Sequence, residues 1–416
     1  MSRVRPALAA LVLVVATAAT GLAATGSLAA PVQPGDDPTV GVSENSTRVL
    51  LLTRADAAAF NSATLSVTDS LGAGHEGVTA QYRLERLDSA LENAATEAER
   101  RALIQREIEW AADRTAALVE RERAAREAYV AGDITATEYL TTVGAVHAAA
   151  EDVESFLGDG NTPSSLYTFA ETRNYGELTT TVSRNRARLQ TVLGPVRERA
   201  AGVVQGDRER VRIHVTVGDG VMLSAVDGGQ YVRETVRPGN LDEDTAPDYG
   251  DPVAYIGETY PWVKNNSRGA SYSLLGRYAV LFSTSHGHGE LALYYDVTTE
   301  RVFVERQQLR LSATPVRYES SASASNTTLH VSRTYTGGPV NVRVENETGG
   351  PVDAPVVLDG AEVGSTGENG ELWTVSPGGE YTVSVRVDGE TLNATVVANP
   401  RPPTAADAEN GTAGTA

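Results

Sequence analysis

Three residues have the types and spacing of a metal-ligand set. His286, His288 and Glu290 alternate, so on a β-strand they would project from one face about 7 Å apart. Two imidazoles and a carboxylate form a donor set that zinc accepts. Gly287 and Gly289 between them suit a solvated hairpin turn equally, and a zinc site also needs a fourth ligand and supporting hydrogen bonds. The turn is the better reading, so neither a metal nor a cofactor is expected. Asp242, Glu243, Asp244, Asp248 and Asp251 concentrate hard oxygens in one short stretch, but their spacing is not that of a calcium loop, which leaves a hydrated acidic loop. Tyr260, Trp262, Tyr272 and Tyr278, with Arg268 and Arg277, could form an aromatic floor for a glycan or peptide; core and cross-strand packing is the competing reading. No serine stands in a nucleophile elbow, and no catalytic residue emerges.

Composition narrows the chemistry further. The 416 residues include no cysteine, which removes disulfides, thiolate metal sites and cysteine nucleophiles together. A net charge of −19 repels phosphate backbones and excludes nucleic acid as a partner. Of the 35 basic residues, only Lys264 is a lysine. An acidic, arginine-biased chain rich in Ala, Gly, Val and Thr suits concentrated salt, because at about 1 M the Debye length falls to about 3 Å and crowded carboxylates repel one another little. The plainer alternative is an acidic protein of a GC-rich genome.

The elements that must position these residues begin after an address. Residues 1–29 read as a secretory signal peptide: Arg3 and Arg5, an uncharged run from Ala7 to Ala24, then small residues at Ser27-Leu28-Ala29. Cleavage after Ala29 is expected, although the apolar run is nearly long enough to stay as an anchor, the only route by which a membrane would be a partner. Residues 30–46 read as a linker and 399–416 as a disordered tail. Acceptor triplets at Asn45, Asn265, Asn326, Asn346, Asn393 and Asn410 make surface glycosylation of some of them an expectation in an exported chain.

The fold class expected is multidomain α+β. Residues 47–207 are mainly helical: strands over Thr47–Thr53 and Ala63–Val67, a helix from Gly77 with Leu84, Leu87 and Leu91 on one face, and a second carrying Ile104, Ile108, Ala111 and Leu118, interrupted by Thr115 and Glu122. Thr96-x-x-Glu99 and Thr135-x-x-Glu138 are capping-box patterns and Gly132-Asp133 a helix stop, which together predict an antiparallel helical hairpin or bundle. A loop over Gly158–Tyr175 and a fourth helix kinked at Gly194-Pro195 complete it. Charges such as Glu107, Arg114, Glu120 and Arg121 read as a solvated face with i,i+4 pairing; an oligomeric coiled coil is the alternative to intramolecular packing. Residues 208–318 alternate with a period of two and form an antiparallel sheet with one helix, 319–336 read as a Ser/Ala linker, and 337–398 as an Ig-like β-sandwich with turns at Asp359-Gly360, Asn369-Gly370 and Asp388-Gly389.

Within the last unit, Asn346-x-Thr348-Gly349-Gly350-Pro351, Leu358-Asp359-Gly360 and Pro377-Gly378-Gly379-Glu380-Tyr381 resemble the carboxypeptidase-regulatory-like, Ig-like domains of exported proteins, which implies a spacer or adhesive role. The export signal, the strand at Val49–Leu52, the Arg/Glu-rich helices with Tyr129-Val130-Ala131-Gly132-Asp133-Ile134, and Tyr260-Pro261-Trp262 look like haloarchaeal surface proteins of unknown function. Val253–Leu311, with its Asp296-Val297-Thr298-Thr299 turn, is similar to small exported domains of the PepSY type. The function expected is that of a non-enzymatic, secreted or cell-surface protein with a structural, adhesive or ligand-binding role, its partner an unidentified protein or glycan at the surface. An exported metal-dependent hydrolase and a PepSY-like protease modulator are the alternatives.

Overall fold

The computed structural model describes residues 39–40 and 47–396, apart from 243–244, 246–250, 277, 317, 335–336 and 378. The expected signal peptide, most of the 30–46 linker, the 399–416 tail, and Asn45 and Asn410 lie outside the described residues. Strands β1 (Thr39–Val40) and β2 (Val49–Leu50) pair, and β3 (Ala55–Asn61) precedes six helices: α1 (Val67–Asn93), α2 (Glu97–Ala131), α3 (Ala136–Leu157), α4 (Leu166–Glu171), α5 (Gly176–Leu189) and α6 (Pro195–Gln205).

The caps stand where their residue types dictate. Thr96 accepts from the Glu99 N–H, Thr135 and Glu138 form a reciprocal capping box, and Gly132 closes α2 in the left-handed region at φ 79°, where a side chain would be strained. Other expectations need correction. Val67 opens α1 instead of ending a strand; Ser66 caps that helix, and Gly72, Gly74 and Gly77 conceal its first half because glycine weakens the helical signal. The loop at 158–175 contains α4, and Gly194-Pro195 separates α5 from α6 outright, with Pro195 at the first helical position. Glu107 is not on a solvated face: it is buried and paired with Arg83 and Arg86 of α1, while Arg114 and Arg121 reach Glu76 and Asp69 of that helix. Arg123, with Glu120 and Glu127, and Arg100, with Glu97, follow the i,i+3 and i,i+4 pattern on α2.

The second unit supplies β4 (Ile213–Gly218), β5 (Val221–Asp227), β6 (Gln230–Val236), α7 (Pro252–Thr259), α8 (Pro261–Asn266), β7 (Arg268–Leu275), β8 (Ala279–His286), β9 (Gly289–Asp296) and β10 (Arg301–Arg310). With β3 these strands make one antiparallel eight-stranded sheet in the order β3-β4-β5-β6-β10-β9-β8-β7. Both faces are covered. On one, Tyr139, Val143, Val196 and Ala200 of α3 and α6 pack on Val215, Leu223 and Val232. Gly144 permits this approach, since a Cβ there would stand 2.7 Å from the Ala200 backbone. On the other, Ile256 of α7, Val263 of α8 and Tyr260 between them pack with Leu50 on Phe282, Leu291 and Leu293. A further core lies within the helices, where Leu87, Ile104, Ile108 and Leu118 meet Val146, Phe156 and Val182.

The third unit is two four-stranded antiparallel sheets, β11 (Tyr318–Ala324), β12 (Thr327–Arg333), β13 (Pro339–Asn346) and β16 (Glu371–Val375) against β15 (Ala361–Ser365), β14 (Pro355–Leu358), β17 (Tyr381–Val387) and β18 (Glu390–Val396). The 319–336 stretch, expected as a linker, is therefore largely a β-hairpin. Its inward Leu329 and Val331 join the sandwich core, while Ser321, Ser323 and Ser325 are exposed, which gave the stretch a linker's composition. Asp359-Gly360 and Asp388-Gly389 each have two consecutive positive φ values, the geometry of tight hairpin turns. The sandwich touches the large sheet directly: Val375 joins Val49, Tyr231, Leu309 and Leu311 in one apolar cluster, and the Tyr231 hydroxyl donates to the Gly337 carbonyl at 2.5 Å.

Candidate functional site

The metal candidates separate because β-strand side chains alternate between faces. His286 ends β8 and lies with His288 on the α8 side of the sheet. Trp262 stacks on His288 at 4.9 Å and meets His286 edge-on at 5.2 Å. Glu290, paired with Ser285 in the β8/β9 ladder, lines a cleft on the helical side. His286 Nδ1 accepts from the His288 N–H at 3.2 Å, and burial, then the neighbouring His288 and Arg310, lower its pKa to about 4. Among the described residues, no three His, Asp or Glu side chains are placed to hold a metal ion.

The other sequence candidates also disperse. Asp251 caps α7, accepting from the Val253 and Ala254 N–H groups, and the Asp242 N–H donates to Asp296; Glu243, Asp244 and Asp248 lie outside the described residues. Tyr260 is buried and donates to Glu305 at 2.7 Å, Tyr272 packs on Phe282, and Tyr278 accepts from Arg184 at 2.6 Å. Tyr260, Trp262 and Tyr272 thus gather around Phe282 as packing on the α7/α8 side, while Tyr278 lies apart with Arg184 of α5; Arg277 is outside the described residues. Asn265, Asn326, Asn346 and Asn393 are all exposed.

Two buried ion pairs, which alternation alone did not single out, tie the layers to the sheet. Arg233 and Glu234 are consecutive on β6 and point to opposite faces. Arg233 pairs with Glu305 at 2.5 Å, and that carboxylate also accepts from the Tyr260 hydroxyl and the Leu50 N–H, both at 2.7 Å. On the helical face Glu234 pairs with Arg197 and accepts from the Val196 N–H at 3.0 Å, while Glu122 accepts from Tyr139 at 2.7 Å and lies 3.9 Å from Arg197. Glu122's interruption of the apolar stripe was the legible trace of this network.

Beside that network, a cleft of about 560 Å³ opens between α3, the α5/α6 junction and strands β8, β9 and β10, within the size range of ligand sites. Glu151, Glu154, Glu198 and Glu290 line it with Leu193, Pro195, Ala292 and Tyr294. Its interior also holds Arg306, whose guanidinium lies 4.7 Å over the Tyr294 ring and donates to the Tyr294 hydroxyl at 2.8 Å, the Leu193 carbonyl at 2.9 Å and Gln190 Oε1 at 3.0 Å. Gln190 in turn donates to Glu154 at 2.7 Å. His147 is 3% exposed and lies on α3, with Nδ1 3.6 Å from Glu151 Oε2. Burial, then the Arg197 and Arg306 charges, lower the imidazole pKa to about 3, so it is neutral. Burial, then Glu198, Asp152 and Glu154, raise that of Glu151.

Residues 1–209, just over half the chain, match a family described as a domain of unknown function, DUF7096. The chain belongs to the DUF7096 family. In this DUF7096 protein, residues 213–315 match a second family of unknown function, DUF7094, and residues 318–394 an archaeal fibronectin-III type-like domain. The last match agrees with the sandwich, since fibronectin-III and Ig-like domains share that architecture. No curated protein and no solved structure matches this DUF7096 chain. The cleft joins side chains from the DUF7096 and DUF7094 segments, His147 and Glu151 from the first and Glu290 and Arg306 from the second.

Proposed function

We propose that the protein is a non-enzymatic, exported cell-surface protein that presents a ligand-binding face on a rigid scaffold in a high-salt envelope. The observation that carries this reading is the continuous packing of the three units: helices and sandwich both close onto one eight-stranded sheet, through shared apolar clusters and the Tyr231–Gly337 hydrogen bond. Such packing favours holding a shape over opening and closing around a reaction. The archaeal fibronectin-III-like match, the acidic arginine-biased composition and the four exposed acceptor triplets support a surface location. Fractionation of native cells grown in high salt, with intact mass of the recovered chain, tests it. A species beginning near Ala30, or membrane-bound with the first segment retained, is expected in the envelope or medium; a cytosolic species of unmodified mass would overturn the reading.

A second reading, a protease modulator, has one observation in its favour. β7 is an edge strand of the large sheet, and seven of its eight residues are exposed, with Leu274 at 77%. An extended segment could pair there, although the register shift between Arg268 and Ser271 interrupts the edge as protective bulges do. The hydrolase alternative loses its motivation, because His286 and Glu290 face opposite sides of the sheet.

A further inference from the structure

We propose that the outward face of α1 is a homodimer interface, with two copies of the chain pairing their α1 helices antiparallel across a two-fold axis. The inference is independent of export and goes beyond the proposed function. Val67, Leu71, Val78 and Tyr82 are 66, 71, 69 and 63% exposed. At about 100° per residue they fall within about 30° of one line along the helix, a stripe about 22 Å long. It is not the side that holds α1 to its own chain: Ala73 packs with Ala148 and Ala201, and Ala80, Leu87 and Leu91 lie in the core of the helices. Large apolar side chains scattered singly on a surface are ordinary, whereas a contiguous stripe marks a contact.

The stripe is complementary to itself. Its intervals of four, seven and four residues read the same in both directions. In an antiparallel pair centred between Gly74 and His75, Leu71 of one copy meets Val78 of the other and Val67 meets Tyr82, as a two-fold interface requires. Beyond Tyr82 the same line continues into Glu85, which is exposed. Antiparallel pairing brings Glu85 to the N-terminus of the other α1, where the unpaired N–H groups favour a carboxylate; parallel pairing would set Glu85 against Glu85. The acids beside the stripe are engaged within the chain, Asp69 by Arg121 and Glu76 by Arg114, so a chain of net charge −19 meets its copy here without bare carboxylates. The same pairs disfavour a bilayer, because helices that lie on lipid carry free Lys and Arg along their flanks. With the exposed Gly74, His75 and Gln81, each copy would bury on the order of 600 Å², approaching the about 800 Å² per partner of a standard interface.

The test is sedimentation velocity of the full chain at about 1 M salt, where repulsion between acidic surfaces is screened within about 3 Å. A dimer that dissociates on dilution is expected. Leu71→Glu and Val78→Glu, each at an exposed position, should weaken association about tenfold or more, and Leu71→Glu/Val78→Glu should be a monomer. Unfolding curves establish that the variants are folded. Leu274→Glu, on the exposed edge strand β7, should associate as the parent does, which separates helix pairing from pairing of sheet edges. Because the sequence has no cysteine, introduced thiols read the register: a mixture of Leu71→Cys and Val78→Cys chains should cross-link through a short bismaleimide more than either variant alone. A parent chain that stays monomeric, a dimer that Leu71→Glu/Val78→Glu leaves intact, or cross-linking without preference for the mixed pair overturns the proposal. A monomer that floats with anionic lipid vesicles, and loses this in Leu71→Glu/Val78→Glu, overturns it in favour of a bilayer.

Discussion

His147, His214 and His286 are buried, and burial lowers each pKa, to about 3 for the first and about 4 for the other two. Their ordinary value is 6.5, so below that pH the unfolded chain takes up protons that the folded chain refuses. The stability they permit is full above about pH 6.5 and is lost as pH falls towards the folded values, at about 1.4 kcal/mol per pH unit for each group. Urea midpoints measured from about pH 8 to about pH 5 should therefore fall, and His214→Phe should flatten the slope. Glu234→Gln is expected to destabilise by about 3 to 5 kcal/mol in the same assay, because it leaves Arg197 buried beside a neutral amide. These residues were unevenly legible. Glu122 showed in the sequence as a charge within an apolar stripe, but Arg233 and Glu234 sit in an alternating strand where polar positions read as solvent-facing. Alternation reports which side of a sheet a residue takes, and it cannot report that both sides are covered. The same rule explains the dispersal of His286 and Glu290: the turn between β8 and β9 puts them on opposite faces.

Among the helices, glycines separate what packing demands from what local propensity tolerates. Gly144→Ala places a methyl against the Ala200 backbone at the α3–α6 crossing and should cost about 1 to 3 kcal/mol through overpacking. Gly72→Ala and Gly74→Ala meet nothing within 4 Å and should each stabilise α1 by about 0.5 to 1 kcal/mol. Thermal unfolding of the three variants gives the comparison, and a stabilised Gly144→Ala would refute the close crossing. Helix ends marked by Thr96, Thr135 and Gly132 were readable because caps are chemical signals local to a few residues. The start of α1 was not, since its glycines mask helical character and its burial depends on α2 and α3. Strand β7 escaped notice for a related reason: an exposed edge strand of Ser, Gly and Tyr carries no apolar alternation.

At the scale of the whole molecule, the sandwich and the two-sided sheet act as one stack, with Val375 and Tyr231 at their junction. The order of units, helical, mixed and then all-β, was legible from the change of hydrophobic period. The covering of the sheet was not, because β3 reaches it across the whole helical segment and Leu50 is fixed on it by Glu305, a residue far along the chain. Location outside the cell is the central claim, and the composition provides a direct probe of it. Lys264 is the only lysine in the sequence and is exposed, so a membrane-impermeant amine reagent has one side chain to modify. Intact native cells treated in high salt and analysed by peptide mass spectrometry should show Lys264 labelled to the same extent as in the purified protein. Labelling of Lys264 only after the cells are lysed would contradict the account.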